Sequence, residues 1–232
     1  PPYSVSSTNK SPWIESLTAD YKKDMKERNI QPLSDDYIKF IRFGQHFIDK
    51  NGEGILAYIS NNSFVDGIIH RQMRKHLLES FDKIYILDLH GNAKKKEVSP
   101  DGSIDQNVFD IMAGVSINLF IKTGKKKENE FGEVFNFDLY GKRELKYDFL
   151  NNNNLSNIEW NYLKPNIPNL FFVAKNELVR SKYELGFSIN EIFRLGATGV
   201  ITERDALTIH HDEKKLVEII EQLKILNEED FR

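Results

Sequence analysis

Two continuous apolar runs, each preceded by a segment of helical periodicity, restrict this chain to a layered α/β architecture. Ile55-Leu56-Ala57-Tyr58-Ile59 is bounded by Gly54 and by the polar Ser60-Asn61-Asn62-Ser63. That pattern predicts a strand buried on both faces, and with it a parallel sheet. Ahead of the run, Tyr37, Phe40, Ile41, Phe43, Phe47 and Ile48 form a broad apolar stripe on a helix opened by Ser34 and Asp35 and stopped by Asn51-Gly52. The stripe reads as core. Further upstream, Ser11-Pro12 supplies a cap and a first-turn proline for a helix over residues 12–28, with Ile14, Leu17, Tyr21 and Met25 at helical spacing. The alternation then repeats. Ile69, Met73, Leu77 and Phe81 line one helix face, and Lys83-Ile84-Tyr85-Ile86-Leu87-Asp88-Leu89 forms the next strand. Helix, strand, helix, strand is the order of an α/β protein.

Beyond a Lys-rich polar loop over residues 90–105, Val115, Ile117, Leu119 and Ile121 alternate with Ser116, Asn118 and Phe120, the period of a strand with two unlike faces. No helix separates it from the strand before, so the two are expected to pair antiparallel. One further strand is expected over residues 134–140. Residues 160–172 carry Pro165 and Pro168 and read as a crossing segment. Gly196, Gly199 and Val200-Ile201-Thr202 suggest a turn and strand, followed by an amphipathic helix with Leu216, Ile219, Ile220, Leu223 and Leu226 on one stripe. The expected domain organisation is 1–150, a connection over 151–182, and an incomplete second domain over 183–232.

Composition narrows the function. The 232 residues, 40% hydrophobic and 12% aromatic, can bury a substantial core. The absence of cysteine excludes disulfide scaffolds and thiolate metal sites, and none of the six histidines adopts a ligand spacing, so no metal is expected. His210-His211 lacks partners at such spacing. No run approaches the roughly 20 apolar residues that span a bilayer, and no signal peptide precedes the first helix, so a soluble, cytoplasmic protein without membrane partners is expected. A net charge of −3 exerts no overall pull on nucleic acid, which leaves any such contact to local patches. His70, Arg71, Arg74, Lys75 and His76 form one candidate basic helix face; a solvated face reads equally well. Lys94 to Lys96 and Lys125 to Lys127 read as solubilising loop residues.

The chain opens without methionine on Pro1-Pro2-Tyr3, which suggests a fragment of a longer polypeptide. Two prolines fix the backbone beside an aromatic ring and leave the first carbonyl as an acceptor. That arrangement suits stacking on an extruded base; it also occurs in polyproline ligands.

Pro1-Pro2-Tyr3 resembles the end of the Asn-Pro-Pro-Tyr motif of amino-group DNA methyltransferases. The order of the elements downstream of it resembles the catalytic domain of adenine-N6 methyltransferases in single-chain restriction-modification enzymes, the type ISP and type IIG groups. Similar segments are residues 54–64, which resemble the strand and loop lining the target-base pocket, and residues 71–77 with 86–92. Asn107-Val108-Phe109-Asp110-Ile111 with Gly114-Val115-Ser116-Ile117 resembles the approach to the last, antiparallel strand. Gly199-Val200-Ile201-Thr202-Glu203-Arg204-Asp205 resembles the start of the target-recognition region.

The resemblance implies the C-terminal half of a Rossmann-like, S-adenosylmethionine-dependent methyltransferase sheet followed by the start of a DNA-recognition domain. The implied activity is adenine-N6 methylation of double-stranded DNA after base extrusion. Acceptors that bind both N6 hydrogens localise the amino lone pair as the new bond forms. One acceptor would be the Pro1 carbonyl, beside Pro2, and the other the side chain of the residue that precedes it in the family. Tyr3 would stack on the base. Asn61, Asn62 and Ser63 would line the pocket or cap the following helix, and Phe109 would form a second aromatic wall. Arg71, Arg74, Lys75 and Arg204 are the expected DNA contacts. The glycine-rich cofactor turn of the family is expected upstream of residue 1, so the main S-adenosylmethionine site and an N-terminal part of the same polypeptide are implied partners, and the fragment alone is expected to be inactive. The rival reading is a catalytically inert DNA-binding or assembly module that kept the fold; methylation of RNA or protein is a third.

Overall fold

A computed structural model describes residues 10–127, 129–192 and 209–225. The chain divides into two compact units, the first ending at Lys175 and the second beginning at Asn176. In the first, α1 (Pro12–Lys22) begins as its sequence requires: Ser11 Oγ accepts from Ile14 N, and Pro12 occupies the first helical position. It stops six residues short of the expected Arg28, where Lys23 turns extended and Asp24 adopts a positive φ of 57°. Helix α2 (Asp36–Asn51) ends on Gly52 at φ 90°, whose N–H closes on Ile48 O.

Five strands form one sheet: β1 (Gly54–Asn61), β2 (Lys83–Asp88), β3 (Val115–Lys122), β4 (Glu133–Asp138) and β5 (Asn161–Leu163), in the order β1-β3-β2-β4-β5. The expected antiparallel pairing of β2 and β3 is present, Lys83 facing Ile121 and Asp88 facing Ser116. Strand β3 also pairs antiparallel with β1, so it lies between β1 and β2. The sheet is therefore mixed, and the parallel pair among the described strands is β2 with β4. Strand β1 lies at the edge rather than buried on both faces, and Ile55 is 65% exposed.

Between β1 and β2 lie the short α3 (Ser63–Asp66) and α4 (Arg71–Ser80). Phe64, Met73, Leu77 and Phe81 pack with Ile84, Ile86 and Phe120 of the sheet and with Tyr37, Ile38 and Ile41 of α2. The other half of the α2 stripe is not core. Phe40, Phe43 and Phe47 are each close to half exposed; Phe43 meets Trp13 edge-on at 5.9 Å and Phe47 at 4.8 Å, while Phe40 stacks on Tyr58 at 6.4 Å. Residues 151–175, expected as a connection, belong to the first unit: β5 pairs with β4, and Leu170 and Phe172 are buried in the same core.

Arg74, expected on a basic surface, holds that returning segment. Its side chain is fully buried on α4, with Nε donating to Leu170 O (2.9 Å) and Nη1 to Phe64 O (2.6 Å) and Gly67 O (2.8 Å), while Nη2 reaches Asn169 O. A buried guanidinium surrounded by carbonyls leaves several acceptors unsatisfied when removed. In the second unit, helices cover Glu177–Tyr183, Ile189–Ile192 and Glu213–Ile225, the last over the predicted amphipathic stretch. No helix among the described residues is long and apolar enough to cross a membrane. Replacing Arg74 by Met should lower the unfolding free energy by about 3 kcal/mol, measured by urea denaturation; a loss no larger than that of Lys75→Met would refute the structural role.

Candidate functional site

The C-terminal ends of β1, β2 and β4 and the start of β3 share one rim of the sheet, because β3 runs against the other three. Polar residues collect there. At the end of β1, Asn61 Oδ1 accepts from Ser63 N (2.8 Å), so Asn61 shapes the turn into α3. Asn62 is buried: its N–H donates to Gly114 O (3.0 Å) and its Nδ2 to Asp88 Oδ1 (2.9 Å). A Cβ at position 114 would stand 2.8 Å from the Asn62 amide, which explains a glycine immediately before β3.

Asp88 also accepts from His90 N (3.0 Å), and the His90 ring is the centre of the cluster. Its Nδ1 lies 2.8 Å from Glu97 Oε1 and its Nε2 3.0 Å from Asp138 Oδ1, while Tyr140 stacks on the ring at 3.8 Å between centroids. Burial opposes charge on this imidazole, yet the hydrogen bonds to Asp138 and Glu97, with Asp88 nearby, outweigh it and raise His90 to about 10. Burial raises the Asp88 carboxyl above its ordinary range, and burial with the neighbouring carboxylates lifts Tyr140 to about 12. These groups border a polar cavity of about 270 Å³ that Asn62 also lines. Asp88, His90 and Asp138 each bring one ligand-type atom within 4.8 Å of the others. Both ring nitrogens already face carboxylates, however, so the imidazolium itself takes the central cationic place.

The chain then reverses through His90 (φ 51°) and Gly91 (φ 77°), where a Cβ on Gly91 would stand 2.4 Å from Asn107 Cα. A buried ion pair closes this loop. Asp105 and Lys146, the latter on α5 (Arg143–Asn152), meet at 2.6 Å with both side chains fully buried. Asp105 also accepts from Gly91 N and Gly141 N, and Lys146 Nζ donates to Leu89 O and Gln106 O. Beyond it, half-buried Phe109 lines an open groove of about 580 Å³ with Asn107, Met112, Arg143 and Glu144.

The structure thus places Asn62 and Phe109 in two cavities that share no lining residue. Pro1, Pro2, Tyr3 and Arg204 lie outside the described residues. The expected basic face is not one surface. Arg71 pairs with Glu27 through both guanidinium nitrogens, and exposed Lys75 lies 3.8 Å from Glu79. Arg74 is core, and His70 is buried and lowered to about 3 by desolvation, then by Arg74. Lys126, expected to be a solubilising residue, donates to Leu78 O (2.7 Å) and Glu79 O (2.5 Å) at the end of α4, where cations favour the exposed carbonyls. The sequence reading missed the roles of Asp88, His90, Glu97, Asp138 and Tyr140; the signal was an aspartate closing an otherwise apolar strand two residues before a histidine.

His90 supports folding fully below the unfolded imidazole value near 6.5, and that support fades as pH rises toward its folded value of about 10. Urea denaturation of the wild type should therefore weaken between pH 7 and 10, by up to about 1.4 kcal/mol per pH unit at the steepest. His90→Gln should show less of this slope; parallel curves for the two proteins would sink the imidazolium account.

No protein-family model and no curated protein matches the chain. Solved structures do. The fold is similar to part of an "ATP-dependent Type ISP restriction-modification enzyme LlaBIII bound to DNA", with a TM-score of 0.71 and 25% identity over 95% of this chain and 15% of that one. A nuclease-deletion mutant of the type ISP restriction-modification enzyme LlaGI, in complex with a DNA substrate mimic, gives a TM-score of 0.70 at 22% identity over 95% of this chain and 22% of that chain. A DrdV–DNA complex gives 0.63 at 22% identity over 90% and 21%. The chain shares its fold with a segment amounting to between a seventh and a quarter of these longer polypeptides.

Proposed function

We propose that the chain is a segment of a restriction-modification enzyme and forms the C-terminal part of its S-adenosylmethionine-dependent adenine-N6 DNA methyltransferase domain, with the start of a target-recognition domain after it. The observation that carries this reading is the sheet. The sheet contains the antiparallel strand that the motif resemblance implies, β3, here lying between β1 and β2, and a similar fold recurs in type ISP restriction-modification enzymes solved with DNA. The edge of β1 is compatible with a continued sheet: it has no strand partner beyond β3 among the described residues, and Phe40, Phe43 and Phe47 of the neighbouring helix stand close to half exposed.

The glycine-rich cofactor turn of the family belongs, in this reading, to a part of the polypeptide upstream of residue 1. Gly91 follows β2, but it leads into the single 3-10 turn Ala93–Lys95, not into an α-helix whose N-terminus could face a ligand. S-Adenosylmethionine would supply the methyl group from a site on another part of the polypeptide. This chain's share of the reaction is handling the target base. Tyr3 stacks on the extruded adenine and Phe109 offers a second aromatic surface, while the Pro1 carbonyl accepts one N6 hydrogen. Asn62, fixed by Asp88 and Gly114, shapes the turn beyond β1. Double-stranded DNA is the macromolecular partner. The net charge of −3 requires local contacts, for which Arg71, exposed Lys75 and, outside the described residues, Arg204 are the candidates.

Transfer of labelled methyl from S-adenosylmethionine to unmethylated genomic DNA by the parent polypeptide tests the reading. Incorporation as N6-methyladenine should fall roughly tenfold or more in Tyr3→Ala and in Phe109→Ala, as expected for the loss of stacking worth about 1 to 3 kcal/mol. A folded, cofactor-binding parent that methylates no DNA would instead support an inert DNA-binding or assembly module.

A further inference from the structure

Residues 106–109 lie in neither a helix nor a strand, yet each of their four carbonyls has a donor on one helix. Lys146 Nζ donates to Gln106 O (2.7 Å) and Arg143 Nε to Asn107 O (2.8 Å). The Tyr147 hydroxyl donates to Val108 O (2.6 Å) and Arg143 Nη2 to Phe109 O (3.1 Å). The segment is also braced from within. Asn107 Oδ1 accepts from Phe109 N (2.9 Å), and its Nδ2 donates to Ala113 O (2.7 Å) and Gly91 O (3.1 Å). The Arg143 N–H donates to Gln106 Oε1 (3.0 Å). Both backbone polar groups of Phe109 are therefore bound, while its side chain packs against the buried cluster of Leu87, Leu89, Val108 and Val115 and borders the groove.

An irregular surface segment ordinarily leaves its carbonyls to water and remains mobile. Here three side chains of α5 at positions i, i+3 and i+4, which share one helix face, meet four consecutive carbonyls. Of the three, only Lys146 is core. Tyr147 is 44% exposed and Arg143 is partly exposed against Asp110, so neither is placed by apolar packing alone. A stacking surface gains most from such bracing, because a ring ordered in advance loses no freedom when a flat partner arrives.

We infer that α5 is a positioning element for Phe109, and that Arg143 and Tyr147 are positioning residues that present its ring to a planar base in the groove. The inference rests on the reading of Phe109 as a wall for an extruded base. Neither residue is assigned to the chemistry, and both act through the backbone of residues 107–109.

A single para-fluorophenylalanine at position 109 in the full chain reports the ring by 19F NMR, and an oligo(dA) single strand serves as the probe, because its bases are free to stack. The wild type should give one narrow line displaced from the free amino acid and shifted further by oligo(dA). In Tyr147→Phe combined with Arg143→Gln, the line should broaden toward the free value, and the same shift should need about tenfold more oligo(dA). The melting temperature should change little, and Arg143→Lys should not restore the line, because an ammonium cannot serve both Asn107 O and Phe109 O. A line of unchanged width and position in the double variant overturns the positioning role. A line that loosens in the double variant but never moves with oligo(dA) in the wild type supports the clamp and overturns the base-wall reading.

Discussion

The buried Asp105–Lys146 ion pair is the constraint on which the rim of the sheet depends. Two opposite charges removed from water do not stabilise a protein by themselves, since desolvation offsets their attraction. Their value here is positional. Asp105 gathers the N–H groups of Gly91 and Gly141, and Lys146 gathers the carbonyls of Leu89 and Gln106. Four backbone points on three segments thus converge on one pair. Stranding either charge in buried pairs costs about 3–5 kcal/mol, so the loop after β2, the approach to β3 and the start of α5 are bound to a common arrangement. Both cavities adjoin this knot: the polar one begins at His90, and the open one begins at Gly91.

Three of the buried cations among the described residues of the first unit, Arg74, Lys146 and His90, are accommodated by three different means. Arg74 is surrounded by main-chain carbonyls of two segments, which makes it a brace with no net ion pair at its head group. Lys146 combines a carboxylate with two carbonyls. His90 is held between carboxylates on both ring nitrogens, so that it alone belongs to a cluster in which negative charge exceeds positive. Braces of the first two kinds fix backbone. The third leaves a polar cavity whose wall carries Asp88, Asp138 and Tyr140, groups that remain able to act as acceptors or donors to a bound partner.

How far the sequence disclosed this architecture depended on whether side chains followed their ordinary solvent preference. Where they did, periodicity was a sound guide: the capped start of α1, the glycine stop of α2, and the antiparallel placement of β3 are all as read. Helix α5 escaped notice because its pattern is inverted, with Lys146 buried and Leu145 61% exposed. Arg74 misled for the same reason, since a charged residue between Met73 and Leu77 reads as surface until its carbonyl partners, two of them nearly a hundred residues away in sequence, are known. The α2 stripe failed differently. Its residues are as apolar as a core face, but the half formed by Phe40, Phe43 and Phe47 stands open with Trp13. Hydrophobic periodicity identifies a face that is to be covered, not which segment covers it.

The β1 edge and the interior of the sheet therefore carry opposite physical characters. At β1, backbone groups on one side have no strand partner among the described residues, and the neighbouring helix exposes a contiguous aromatic surface of the kind that marks association sites. Around β2 and β4, main-chain groups of the connecting loops are bound by buried charges and by a helix whose polar side chains face inward. A rim held in place where Phe109 and the His90 cluster sit thus lies near a strand edge whose backbone groups are unpaired among the described residues. A partner associating along the β1 edge would meet a sheet whose rim is already ordered, so the ordering of the rim and the association are separate events.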